Sequence, residues 1–144
     1  MSPNDNNNLL LRLHGNWFKI GLVFFVVSST IYLLSFLIGW GSSSEKLIGQ
    51  PSEFCEKVYS GLLREPMNTL SNLSYVGVGL LMLYIADKLP EKGPNPFLRQ
   101  GVTVPVYGFT SILLGIGSFA MHGTNTEFGG MLDWSGMLFW ISFP

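Results

Sequence analysis

Three long stretches of this chain carry no charge. Residues 20–40, 67–86 and 101–121 run for 21, 20 and 21 positions without Asp, Glu, Lys or Arg. About 20 apolar residues cross the roughly 30 Å hydrocarbon core of a bilayer. A single segment in hydrocarbon satisfies its own backbone only as a helix. The pattern therefore predicts an all-α, multi-pass transmembrane helix bundle. Composition agrees, because charged residues make up 12% of the chain against roughly 25% in soluble proteins. Residues 131–144 open a fourth apolar segment of 14 residues, too few to span comfortably. About four hydrophobic helices are expected, and the chain reads as an N-terminal fragment of a longer protein.

The polar stretches set the organisation. Residues 1–15, rich in Asn, read as a solvated tail, and 16–40 as the first transmembrane helix. A cleaved signal peptide is the competing reading, but its apolar core would be only about 7–15 residues long. Residues 41–66 form a polar, acidic segment, and 67–144 hold the remaining helices, with loops at 87–100 and 122–130. Arg12 and Lys19 precede the first span, and Lys88, Lys92 and Arg99 lie in the 87–100 loop. The positive-inside rule puts both on the cytoplasmic side. Whichever way the bundle is inserted, the acidic segment and His122 share the opposite face. A net charge of −1 gives no basic footprint for nucleic acid. Cys55, the single cysteine, excludes an intrachain disulfide.

Polar groups at such depth are costly and mark functional sites. Ser118 and His122 are four residues apart and share a helix face. With a helix starting near Gly130, Asp133 lies about one turn inside it, level with them. A short loop makes the two helices antiparallel neighbours. One hydroxyl, one imidazole and one carboxylate thus converge below one membrane surface, the makings of a metal-centred hydrolytic site. Each has a plainer reading. His122 suits an interface, Ser118 can bond the carbonyl of Leu114, and Asp133 can serve as a first-turn carboxylate favoured by the helix dipole. Asn68, Ser71 and Asn72 read as polar packing groups. Gly77, Gly79, Gly115 and Gly117 read as points of close helix approach.

Gly115-Ile116-Gly117-Ser118-Phe119-Ala120-Met121-His122-Gly123-Thr124, followed by Met131-Leu132-Asp133 and Met137, resembles the Ser-x3-His and Asp motifs of the alkaline ceramidase family. Phe54-Cys55-Glu56 and Glu65-Pro66-Met67-Asn68-Thr69-Leu70-Ser71-Asn72 resemble its Trp-Cys-Glu and Glu-x-x-Asn-Thr-x-Ser-Asn elements, in the same order. The family belongs to a set of seven-helix membrane hydrolases that includes the adiponectin-receptor type. The similarity covers residues 53 to about 140. It implies a zinc-dependent hydrolase that cleaves the amide bond of ceramide-like sphingolipids in the bilayer. In that reading His122 is a zinc ligand, Asp133 holds and deprotonates the attacking water, and Ser118 steadies the developing oxyanion.

The same resemblance implies a calcium site in the acidic segment. Glu53, Glu56 and Glu65 match side-chain ligands, Phe54 a backbone carbonyl, and Val58 falls where the family has an Asn. A solvated acidic loop beside Lys57 and Arg64 is the alternative. The chain departs from the family in two further ways. The first span is additional to the usual seven helices. The family's His-x3-His zinc pair is missing, His14 and His122 being the two histidines. A catalytic zinc takes about three protein ligands plus water, so this stretch is expected to be inactive alone, with the pair in a C-terminal part. A receptor-like or scaffolding member of the same superfamily is the rival function.

Overall fold

The computed structural model describes residues 15–38, 56–92, 94–95 and 99–142, apart from the side chain of Phe36. Among these the structure is helical: α1 (Trp17–Ile38), α2 (Pro66–Ser71), α3 (Leu73–Ala86), α4 (Thr103–Thr124) and α5 (Glu127–Ile141). Three spans are long and apolar enough to cross a membrane, namely Trp17–Ser35, Pro66–Ala86 and Thr103–Thr124.

The second uncharged run forms two helices instead of one, with Asn72 between them. The oxygen of Asn68 accepts both the Ser71 hydroxyl and the Asn72 side-chain amide, each at 2.8 Å. Side chains that compete for backbone groups in this way disturb the regular ladder. Around Asn72 the backbone bonds tighten to three-residue steps, Asn72 N to Thr69 O and Tyr75 N to Asn72 O.

α4 is the centre of the bundle and packs against the other four helices. α3 and α5 run antiparallel to it. Val76, Leu83 and Ile112 form the buried core between α3 and α4, with Trp17, Phe25 and Phe109 against them. The helices are apolar all round, so large side chains do not decide which faces meet; the small residues do. A Cβ on Gly79 would lie 2.6 Å from the Gly108 oxygen, so only glycine lets α3 cross α4 there. A Cβ on Gly117 would lie 2.5 Å from the Leu132 oxygen and 3.0 Å from the Asp133 nitrogen, which sets the α4–α5 crossing. Gly115 also lies against α3, but Gly77, expected at an interface, faces open space. Gly117→Val should therefore lower stability by about 1–3 kcal/mol through overpacking. Gly77→Ala should be neutral or slightly stabilising. Unfolding midpoints of the two variants in detergent check the contrast.

α1 is fastened at both ends. The Asp87 carboxylate, just past α3, accepts the Trp17 and Phe18 amides at 2.9 and 3.0 Å. Free amides at a helix start need such acceptors, and a carboxylate there also suits the helix dipole. Towards the other end, the Tyr32 hydroxyl donates to the Leu62 oxygen at 3.0 Å, and its ring meets the edge of Phe119 at 5.2 Å. The start of α1 and the end of α3 thus lie together, and the segment before α2 lies at the other end of the bundle.

Candidate functional site

The segment before α2 folds back over the end of α4. Arg64 N donates to Gly123 O at 3.0 Å and Glu65 N to His122 O at 3.1 Å. The acidic segment and His122, expected on one face, are in direct contact. Pro66 opens α2 without an N–H of its own, and the next two amides, Met67 and Asn68, donate to the two oxygens of Glu56 at 2.8 Å each. Glu56 is therefore a cap on α2.

Glu65 is 1% exposed. Its Oε2 lies 2.7 Å from Nδ1 of His122 and 2.9 Å from the Asn68 amide, and its Oε1 accepts from the Asn125 amide at 3.2 Å. Two side-chain amides donate to this carboxyl, and the His122 ring nitrogen is its third neighbour. In the neutral tautomer with Nδ1 as donor, the lone pair sits on Nε2. A carboxylate that fixes a histidine tautomer from behind is the usual support of a metal-ligating imidazole.

The α4–α5 turn is tighter than the 122–130 loop expected. α4 continues to Thr124, and only Asn125 and Thr126 separate it from α5. Asn125 takes the left-handed conformation at φ 54°, which Asn tolerates better than most residues. Thr126 accepts from Gly129 N at 3.2 Å and caps α5. The start of α5 thus moves to Glu127, three residues before the expected Gly130, and Glu127 is the carboxylate of its first turn. Asp133, in the second turn, is not that group.

The earlier helix start also sets depth. Ser118 is six residues before the end of α4 and Asp133 six after the start of α5. Each lies about 9 Å from the turn. The backbone approach at Gly117 and Leu132–Asp133 confirms that these levels meet. Ser118 is 9% exposed and Asp133 half-buried, and neither has a hydrogen-bond partner among the described residues. Buried polar groups are nearly always bonded, so Ser118 stands out.

The structure thus brings Ser118 and Asp133 to one level, one turn of α4 from His122, and gives His122 the partner Glu65. Sequence reasoning had grouped Glu65 with Glu56. The structure puts them on different tasks, and Val58 lies half-buried before the turn that Tyr59 N closes on Arg64 O at 2.8 Å. Glu53, Phe54, Cys55 and His14 lie outside the described residues. Among the described residues, no three His, Cys, Asp or Glu side chains come together as a metal cage. Asp87, Tyr32 and Asn125 were not singled out from sequence. Asn125-Thr126 did carry a signal, an Asn where α4 ends and a Thr where α5 begins.

Compared with protein-family models, with curated proteins and with solved structures, the chain matches none of them.

Proposed function

We propose that the protein is a multi-pass membrane hydrolase that cleaves the amide bond of ceramide-like lipids with the help of zinc. The observation that carries this is the pair Ser118 and Asp133, without hydrogen-bond partners among the described residues, level with each other and one turn from an imidazole held by a buried carboxylate. The setting supports it. Leu37, Ile38, Trp134 and Phe139 stand exposed on the outer faces, a surface suited to lipid and not to water.

The described residues supply one ligand towards a metal, His122. A catalytic zinc takes about three protein ligands plus water, so the set is incomplete within them, and the reading requires further imidazoles from the rest of the protein. Zinc would polarise the amide carbonyl and make water acidic. The chain's own residues would do the remainder. Glu65 holds His122 in one tautomer. Asp133 takes a proton from the attacking water and returns it to the departing amine, as a general base then acid. The Ser118 hydroxyl donates to the oxygen that becomes negative. The amide C–N bond breaks, the carbonyl carbon gains the water oxygen, and a fatty acid and a long-chain base leave. Calcium is not carried into the proposal, since Glu56 is engaged by the α2 amides and Glu65 by His122.

The test is zinc content together with fatty-acid release from ceramide, on protein purified from its full reading frame. Bound zinc is expected, with turnover that a chelator abolishes and added zinc restores. A protein without zinc and without release would reduce these groups to helix packing, the role a receptor or scaffold would give them.

A further inference from the structure

A groove of about 310 Å³ lies between α1 on one side and α2, α3 and α4 on the other. Phe25 and Ser29 of α1, Leu70 and Val76 of the second span, and Phe119 of α4 are among its walls, and Tyr32 stands near its loop end. Every wall except the Ser and Tyr hydroxyls is apolar, and the Tyr32 hydroxyl is committed to Leu62. Apolar cavities of about half this size stay dry and take up small hydrocarbons. Apart from Leu62 and Leu63, its walls belong to the three stretches apolar enough to cross a membrane, where lipid tails would surround it.

Its loop end is closed by Leu62 and Leu63 of the segment before α2, by Tyr32 and by Phe119. The groove is therefore an apolar channel that runs between α1 and the rest of the bundle up to that segment. Its volume is at the low end of small-molecule pockets, about 300–1,000 Å³, which suits one chain and not both chains of a bilayer lipid.

We propose that this groove binds one acyl chain of a bilayer lipid, with α1 as its outer wall and the lipid's polar end at the loop end of the groove. The inference rests on the membrane placement above and not on the hydrolytic reading. The test places the full-length protein in nanodiscs that contain phosphatidylcholine with a diazirine at one acyl terminus. This probe has no amide, so its signal is independent of turnover. After illumination, adducts are expected to concentrate on the groove walls, including Phe25, Leu70 and Phe119. Ser29→Trp, which fills the groove, should lower adducts on Leu70 and Phe119 several-fold. Val23→Trp, on the exposed side of α1, should leave them unchanged. If Ser29→Trp fails to fold, the milder Ser28→Leu and the wild-type adduct map decide. Adducts as dense on Val23 and Ile31 as in the groove, or unmoved by both groove-filling changes, would overturn the proposal. Because phosphatidylcholine offers no amide, a variant that loses ceramide cleavage still reports the groove's occupancy, which separates this proposal from the hydrolytic one.

Discussion

Asp133→Asn should lower ceramide cleavage by on the order of 10²–10⁴-fold, the range that a positioned general base contributes, and leave the fold in place. The first half follows from the proposed role of Asp133 and the second from its surroundings. Asp133 is half-buried in the second turn of α5 and has no partner among the described residues. An amide of the same shape breaks no contact, and a change of this kind shifts stability within about 0.5 kcal/mol. What Asn lacks is the capacity to take a proton. Single-turnover rates together with unfolding midpoints separate the two effects. Unaltered cleavage would remove Asp133 from the reaction, whereas lost cleavage with a lowered midpoint would make it a packing group.

Glu65→Leu should act in the opposite manner, through stability. It removes the acceptor shared by His122, Asn68 and Asn125 and leaves buried donors unsatisfied. A cost on the order of 3 kcal/mol follows from breaking such a pair on one side. Glu65→Gln keeps the volume and one carbonyl oxygen, so it should fold better. It sets an amide against Nδ1, however, and should weaken metal affinity or activity about 10–100-fold, as loss of a supporting carboxylate does. A double-mutant cycle with His122→Ala isolates the pair, with a coupling of about 0.5–3 kcal/mol expected for contacting residues. Zero coupling would mean that the 2.7 Å contact contributes nothing in solution.

The helices were legible from sequence because length and lack of charge decide them. Residues 20–40 and 101–121 predict the bodies of α1 and α4, and the structure ends those helices within a few residues. That the acidic segment and His122 lie at one end of the bundle was legible from the number of spans; that they touch was not. Glu56 and Glu65 are neighbours in the chain and looked like one cluster. Which carboxylate reaches His122 depends on how residues 56–65 fold over the end of α4, a contact across 57 positions. The break at Asn72 depends on two side chains, Ser71 and Asn72, sharing the Asn68 carbonyl, which periodicity does not register. Asp87 gave no signal, because its partners lie 69 and 70 residues earlier.

The double fastening of α1 bears on how the bundle moves as a whole. A helix held at one point swings about it. One held at Asp87 and again at Tyr32 behaves as a strut, with its length and tilt set by two different parts of the core. Tyr32 is tied to the carbonyl of Leu62, three residues before Glu65. Any lateral force that tips α1 is thereby levered onto the short strap that lies against the imidazole.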